Sequence, residues 1–123
     1  MRRSPAAAVV LAAMAVLPAA ALAHRPATRT ERSAVVAAAV RQRQLSPAQG
    51  RCQVVTISTV NTGYATLSWP RRLSRACQRV AANGVIIEHR TSRGWRLVAV
   101  GSEFQCPIKG VPRAVARDLD VCH

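Results

Sequence analysis

Gln53-Val54-Val55-Thr56-Ile57-Ser58-Thr59-Val60, then Asn61-Thr62-Gly63, then Tyr64-Ala65-Thr66-Leu67-Ser68-Trp69, is the stretch that settles the class of fold. Its first part is rich in β-branched residues, which suit a pleated backbone. Asn-Thr-Gly supplies a left-handed turn, and beyond it Ala65, Leu67 and Trp69 alternate with Tyr64, Thr66 and Ser68. A period of two on both sides of a turn predicts a β-hairpin. The same grammar returns downstream, where residues 85–90 pair with 95–100 across Thr91-Ser92-Arg93-Gly94. Four strands result.

Upstream the period changes. Thr28-x-x-Glu31 has the form of a capping box, a hydroxyl serving one free N–H and a carboxylate reaching back to another. The helix it opens, over 30–44, places Val35, Val36, Ala39 and Val40 on one stripe, with Arg32 and Arg43 at the stripe's ends. Only the middle turns can then pack, with the guanidinium heads escaping at the edges. Ser46-Pro47-Ala48-Gln49-Gly50 ends the element. Residues 24–29, polar and containing Pro26, are expected to be a disordered arm. Downstream, Pro112 starts a short helix through Leu119, and Asp118 and Asp120 fall in its last turn, where Arg113 or Arg117 would offset them. The expected fold of residues 30–123 is a single α+β domain: an N-terminal amphipathic helix packed on a four-stranded antiparallel sheet, a short C-terminal helix and two disulfides.

The compartment follows from the leader and the cysteines. Arg2 and Arg3, the apolar run from Ala6 and the Ala21-Leu22-Ala23 site make residues 1–23 a signal peptide cut after Ala23. The competing reading is an uncleaved anchor, since the run approaches a spanning length. Cys52, Cys77, Cys106 and Cys122 all lie downstream, an even set in a mature chain of about 100 residues. Four cysteines allow three pairings. Cys52–Cys77 and Cys106–Cys122 are favoured, the first tying a strand end to the segment between the hairpins, the second clamping the terminal loop to its helix. No C-x-x-C pair is present and the spacings do not suit zinc, so no metal site is expected.

Of the 18 basic side chains 17 are arginine, and loss of Arg2 and Arg3 with the leader leaves a formal charge of +11. Such a surface attracts polyanions, although an Arg- and Ala-rich composition is also what a GC-rich genome imposes. Residues 70–82 have two readings. As a helix opened by Pro70 and closed by Asn83-Gly84, they bury Leu73, Ala76, Cys77 and Val80 and display Arg71, Arg72, Arg75 and Arg79. As a long loop, the same arginines merely keep it solvated. No aromatic residue is interleaved, so base stacking on single-stranded nucleic acid is not indicated, and no specific nucleic-acid motif is present.

Nucleophile elbows and phosphate-cradling glycine motifs are missing from the sequence. His89, in phase with Val85 and Ile87, fits a structural place better than a general base. No catalytic residue and no cofactor is assigned, and the expected class is not an enzyme. One metal alternative comes from the cut site: His24 would become the N-terminus, and its amine and imidazole could chelate copper as in histidine-brace proteins, with His89 or His123 completing the site.

Ser58-Thr59-Val60, Tyr64-Ala65, Gly94-Trp95, Gly101-Ser102, Cys106, Val111-Pro112, Val115 and Asp118-Leu119-x-x-Cys122 together resemble a pattern in small exported actinobacterial proteins of uncharacterised function. The resemblance covers about residues 28–122. It implies a helix-plus-antiparallel-sheet domain outside the membrane and brings no activity with it. The functional expectation is a non-enzymatic binding module that contacts anionic cell-envelope or extracellular polymers through Arg71, Arg72, Arg75 and Arg79, with no membrane span after cleavage. The alternative is a secreted inhibitor of an extracellular hydrolase that presents Glu103-Phe104-Gln105-Cys106-Pro107-Ile108.

Overall fold

A computed structural model of the protein describes residues 5–13 and 24–123. Of the expected leader only 5–13 fall among them, exposed and without regular structure, so the cut after Ala23 lies outside the described residues. The elements are β1 (His24–Pro26), α1 (Arg29–Arg41), α2 (Pro47–Arg51), β2 (Val54–Ser58), β3 (Tyr64–Ser68), α3 (Arg75–Gln78), β4 (Val85–Thr91), β5 (Gly94–Gly101) and α4 (Arg113–Asp118). The five strands form one antiparallel meander in the order β1-β2-β3-β4-β5. The α+β class and both hairpins stand, but the sheet has five strands rather than four, and the first ordered element is a strand and not the helix.

The extra strand is the segment expected to be a disordered arm. His24, Arg25 and Pro26 pair with Ser58, Ile57 and Thr56, and Ala27 N–H continues to Val55 C=O at 3.1 Å. Edge pairing of this kind uses main-chain groups and needs no apolar alternation, and an edge strand tolerates proline. Arg25 fastens it further, donating to both oxygens of Glu31 at 2.7 and 2.9 Å.

The capping box of α1 forms as read: Thr28 Oγ1 accepts from Glu31 N–H at 3.2 Å, and Thr28 N–H donates to Glu31 Oε1 at 2.9 Å. The helix stops at Arg41 instead of running to 44, because Arg43 takes a left-handed φ of 58° and Gln42 turns onto β5. The Gln42 side chain donates to Trp95 C=O at 3.3 Å and accepts from Leu97 N–H at 2.8 Å. Arg32, expected to escape to solvent, instead donates to the carbonyls of Gly50, Arg51 and Gln53. Those carbonyls lie at and just beyond the end of α2, a helix where only a chain break was expected. Ser46 and Gln49 cap α2 reciprocally. A Cβ on Gly50 would sit 2.8 Å from Val36 Cγ1, so glycine permits the close approach of α1 and α2.

The turn between β2 and β3 also departs from expectation. None of residues 61–63 has a positive φ. Asn61 Oδ1 accepts from Gly63 N–H at 2.9 Å, an Asx turn that replaces the left-handed one.

Both faces of the sheet are covered. On one face Val35, Ala38 and Ala39 of α1 meet Val55, Ile57, Ala65, Leu67, Ile86 and Trp95. On the other, Ile108, Val111, Val115, Ala116 and Leu119 pack on Tyr64 and Ile87. β3 is therefore buried on both sides, against the single helix layer expected. A bulge helps: Ile87 pairs with Ala99 and Glu88 with Leu97, so Val98 is extra, and Val98 and Ala99 both join the second cluster.

The disulfides are Cys52–Cys77 and Cys106–Cys122, with Cα separations of 5.7 and 6.0 Å. Restricting the unfolded chain, each loop contributes about 3 kcal/mol. An α+β domain with two disulfides fits an oxidising compartment, and among the described residues no helix is long and apolar enough to cross a membrane.

Candidate functional site

The chemistry of this chain is decided by where its few carboxylates go. Glu31 is engaged twice, by Arg25 and by the cap of α1; the Arg25 guanidinium first, then the Thr28 N–H, holds its carboxyl down at about 2. Glu88 has no exposed surface, and neither carboxylate oxygen finds a hydrogen-bond donor among the described residues. Burial pushes it up to about 7, with Arg41 pulling weakly the other way. Asp118, 8% exposed, is buried at the end of α4. Asp120 lies 3.4 Å from His123 Nδ1, and Glu103 is exposed.

Asp118 does not meet Arg113 or Arg117 as the sequence suggested. Its Oδ2 accepts from Ser58 Oγ at 2.6 Å and Thr59 N–H at 2.7 Å, and its Oδ1 from Thr59 Oγ1 at 2.9 Å. Val60 N–H adds a longer contact at 3.4 Å. Burial alone would raise this carboxyl, but the hydroxyl and N–H donors of Ser58, Thr59 and Val60 outweigh it and the shift is downward. The chain leaves β2 at Ser58, and there the Thr59 N–H and the two hydroxyls turn to the Asp118 carboxylate. Asp120 meets a different partner from the one expected, because its own φ of 57° turns the chain out of the helix.

His24, Ser58 and Asp118 come together here, but not as a catalytic chain. His24 Nδ1 lies 3.0 Å from the backbone oxygen of Asp118, not its carboxylate. Ser58 Oγ is fully buried, directs its proton at Asp118, and accepts from Val60 and Asn61 N–H at 3.2 and 3.1 Å. The cluster is a clasp between α4 and the β2–β3 turn. Close by, Tyr64 Oη donates to Gly110 C=O at 3.1 Å and its ring stacks on His89 with centroids 4.2 Å apart. Among the described residues no group of three or more His, Cys, Asp or Glu is placed to hold a metal ion.

With the carboxylates so placed, the surface is cationic. Among the described residues fourteen Lys and Arg side chains are exposed. From Arg32 to Ile87 the chain carries eight arginines and no acidic residue. Arg71, Arg72, Arg75 and Arg79 are all exposed, but they do not share a helical face. Only Arg75–Gln78 is helical, capped by Ser74 through Cys77 N–H at 3.2 Å. The arginines ride a loop that is pinned at Cys77 to the end of α2. The loop over 103–108 buries Ile108 and half-buries Phe104, leaving Glu103, Gln105, Cys106 and Pro107 outside.

Comparison with protein-family models, with curated proteins and with solved structures finds no match for this chain.

Proposed function

We propose that this protein works outside the cytoplasm, after removal of a leader at Ala23, as a non-enzymatic module that binds anionic polymers of the cell envelope. The observation that carries the reading is the fate of the five carboxylates: two are buried, two are paired and one is exposed, while among the described residues fourteen basic side chains stay exposed. Arginine suits this work, since its planar fork binds phosphate, sulfate or carboxylate oxygens in pairs and keeps its charge at every accessible pH. The bet on residues is the loop bearing Arg71, Arg72, Arg75 and Arg79, held at Cys77 by a disulfide that lowers the ordering cost of binding. The inhibitor reading has less support, because the 103–108 loop turns its apolar side chains inward.

The test is retention on a polyphosphate or teichoic-acid column. Binding should weaken steeply with salt, and reversing the four arginines to glutamate should lower affinity by about tenfold or more. Retention that ignores salt, or that survives the reversal, would sink the reading.

A further inference from the structure

Away from the arginine loop, a hollow of about 170 Å³ opens beside α4. Its floor is apolar, formed by Ile108, Val111 and Ala116, all of which belong to the second core cluster. One wall is the Cys106–Cys122 disulfide, so the shape is fixed covalently. Arg113 and Arg117 line the mouth. Their spacing of four puts both on the same side of α4. Among the described residues neither has a carboxylate within ion-pair distance, because Asp118 is turned to Ser58 and Thr59 and Asp120 to His123.

The geometry points to a binding site for a small monocarboxylate with an apolar body. Three features fix that class. The volume matches a single ring, since an apolar cavity of about 150 Å³ accommodates benzene. The floor offers no polar partner from its side chains, so the buried end of the ligand must be apolar. Two guanidinium groups at the mouth match the paired oxygens of one carboxylate. The ligand therefore enters tail first, with its charge at the arginines. This site is separate from the polymer-binding loop and does not depend on it.

The probe is benzoate, titrated into the full domain and followed by amide chemical shifts. Shifts should concentrate at Ile108, Val111 and Ala116, and the Arg113→Gln/Arg117→Gln double variant, both positions exposed, should bind about tenfold or more weakly. Benzyl alcohol, with the same ring and no charge, should lose a similar factor, and inorganic phosphate, with charge and no ring, should leave the floor residues unmoved. Reversal of Arg71, Arg72, Arg75 and Arg79 should weaken polymer binding about tenfold or more and leave benzoate affinity within about twofold. No benzoate shifts at millimolar concentration would overturn the proposal. So would equal binding by the double variant or by benzyl alcohol, or shifts centred on residues 70–80.

Discussion

The two faces of the sheet each bury one carboxylate, and the two have opposite surroundings. On the α1 side, Glu88 sits mid-strand, with Ala65 and Leu97 opposite it. Neither of its oxygens accepts a hydrogen bond among the described residues. On the α4 side, Asp118 meets a chain that has just left a strand, and it accepts from the Ser58 and Thr59 hydroxyls and the Thr59 N–H. Full burial without donors makes Glu88 resist ionisation, and a shallower place with several donors makes Asp118 favour it. Depth and donor supply decide together.

The largest way to break the comparison is to remove the supplied carboxylate. Asp118→Ala takes away the shared acceptor of the Ser58 and Thr59 hydroxyls and the Thr59 N–H, and urea unfolding at neutral pH should show a loss of about 3 kcal/mol. An unchanged midpoint would mean that the clasp holds nothing.

Next comes the unsupplied one. Glu88 ionises at about 7 in the folded state and near 4.3 when unfolded, so the domain should lose stability as pH rises from about 4 to 7 and level off above. Glu88→Leu should then stabilise by roughly 3 kcal/mol at pH 8 and by little at pH 4. Asp118 and Glu31 act in the other direction: both are depressed, so their contributions are present above about pH 4 and are lost as pH falls through their folded values, for Glu31 about 2. The denaturation midpoint against pH should peak in weak acid. A profile rising steadily to pH 8 would contradict the assignment of Glu88.

The smallest effect sharpens the first. Ser58→Ala removes one of Asp118's donors and the acceptor of the Val60 and Asn61 N–H groups but leaves the Thr59 donors in place, and should cost about 1–2 kcal/mol. A loss matching Asp118→Ala would make the hydroxyl, not the set of donors, the centre of the clasp.

Much of this was legible locally. The box Thr28–Glu31 and both hairpins follow from residues whose chemistry acts over a few positions, and of the three pairings open to the cysteines the favoured one forms. The strand at His24–Pro26 was not, because an edge strand is made by main-chain groups and its side chains carry no period. Ser46-Pro47-Ala48-Gln49 held a second capping box in plain view, masked by the proline that was taken as a stop. Residues 70–82 had helical spacing, yet only Arg75–Gln78 coil, since this segment contributes no residue to either core cluster that would reward a longer helix.

The sequence by itself determined the class of fold, the cap of the first helix, the hairpin sites, the presence of a disulfide framework and the excess of positive charge, all set by residue type and near spacing; the pairing of the cysteines is fixed by the fold. Only the tertiary structure decided that both sheet faces are covered, that Glu88 is stranded while Asp118 is satisfied, and that Arg113 and Arg117 stand free over an apolar hollow. Those outcomes depend on which donors and surfaces distant segments bring together, and no local pattern encodes that.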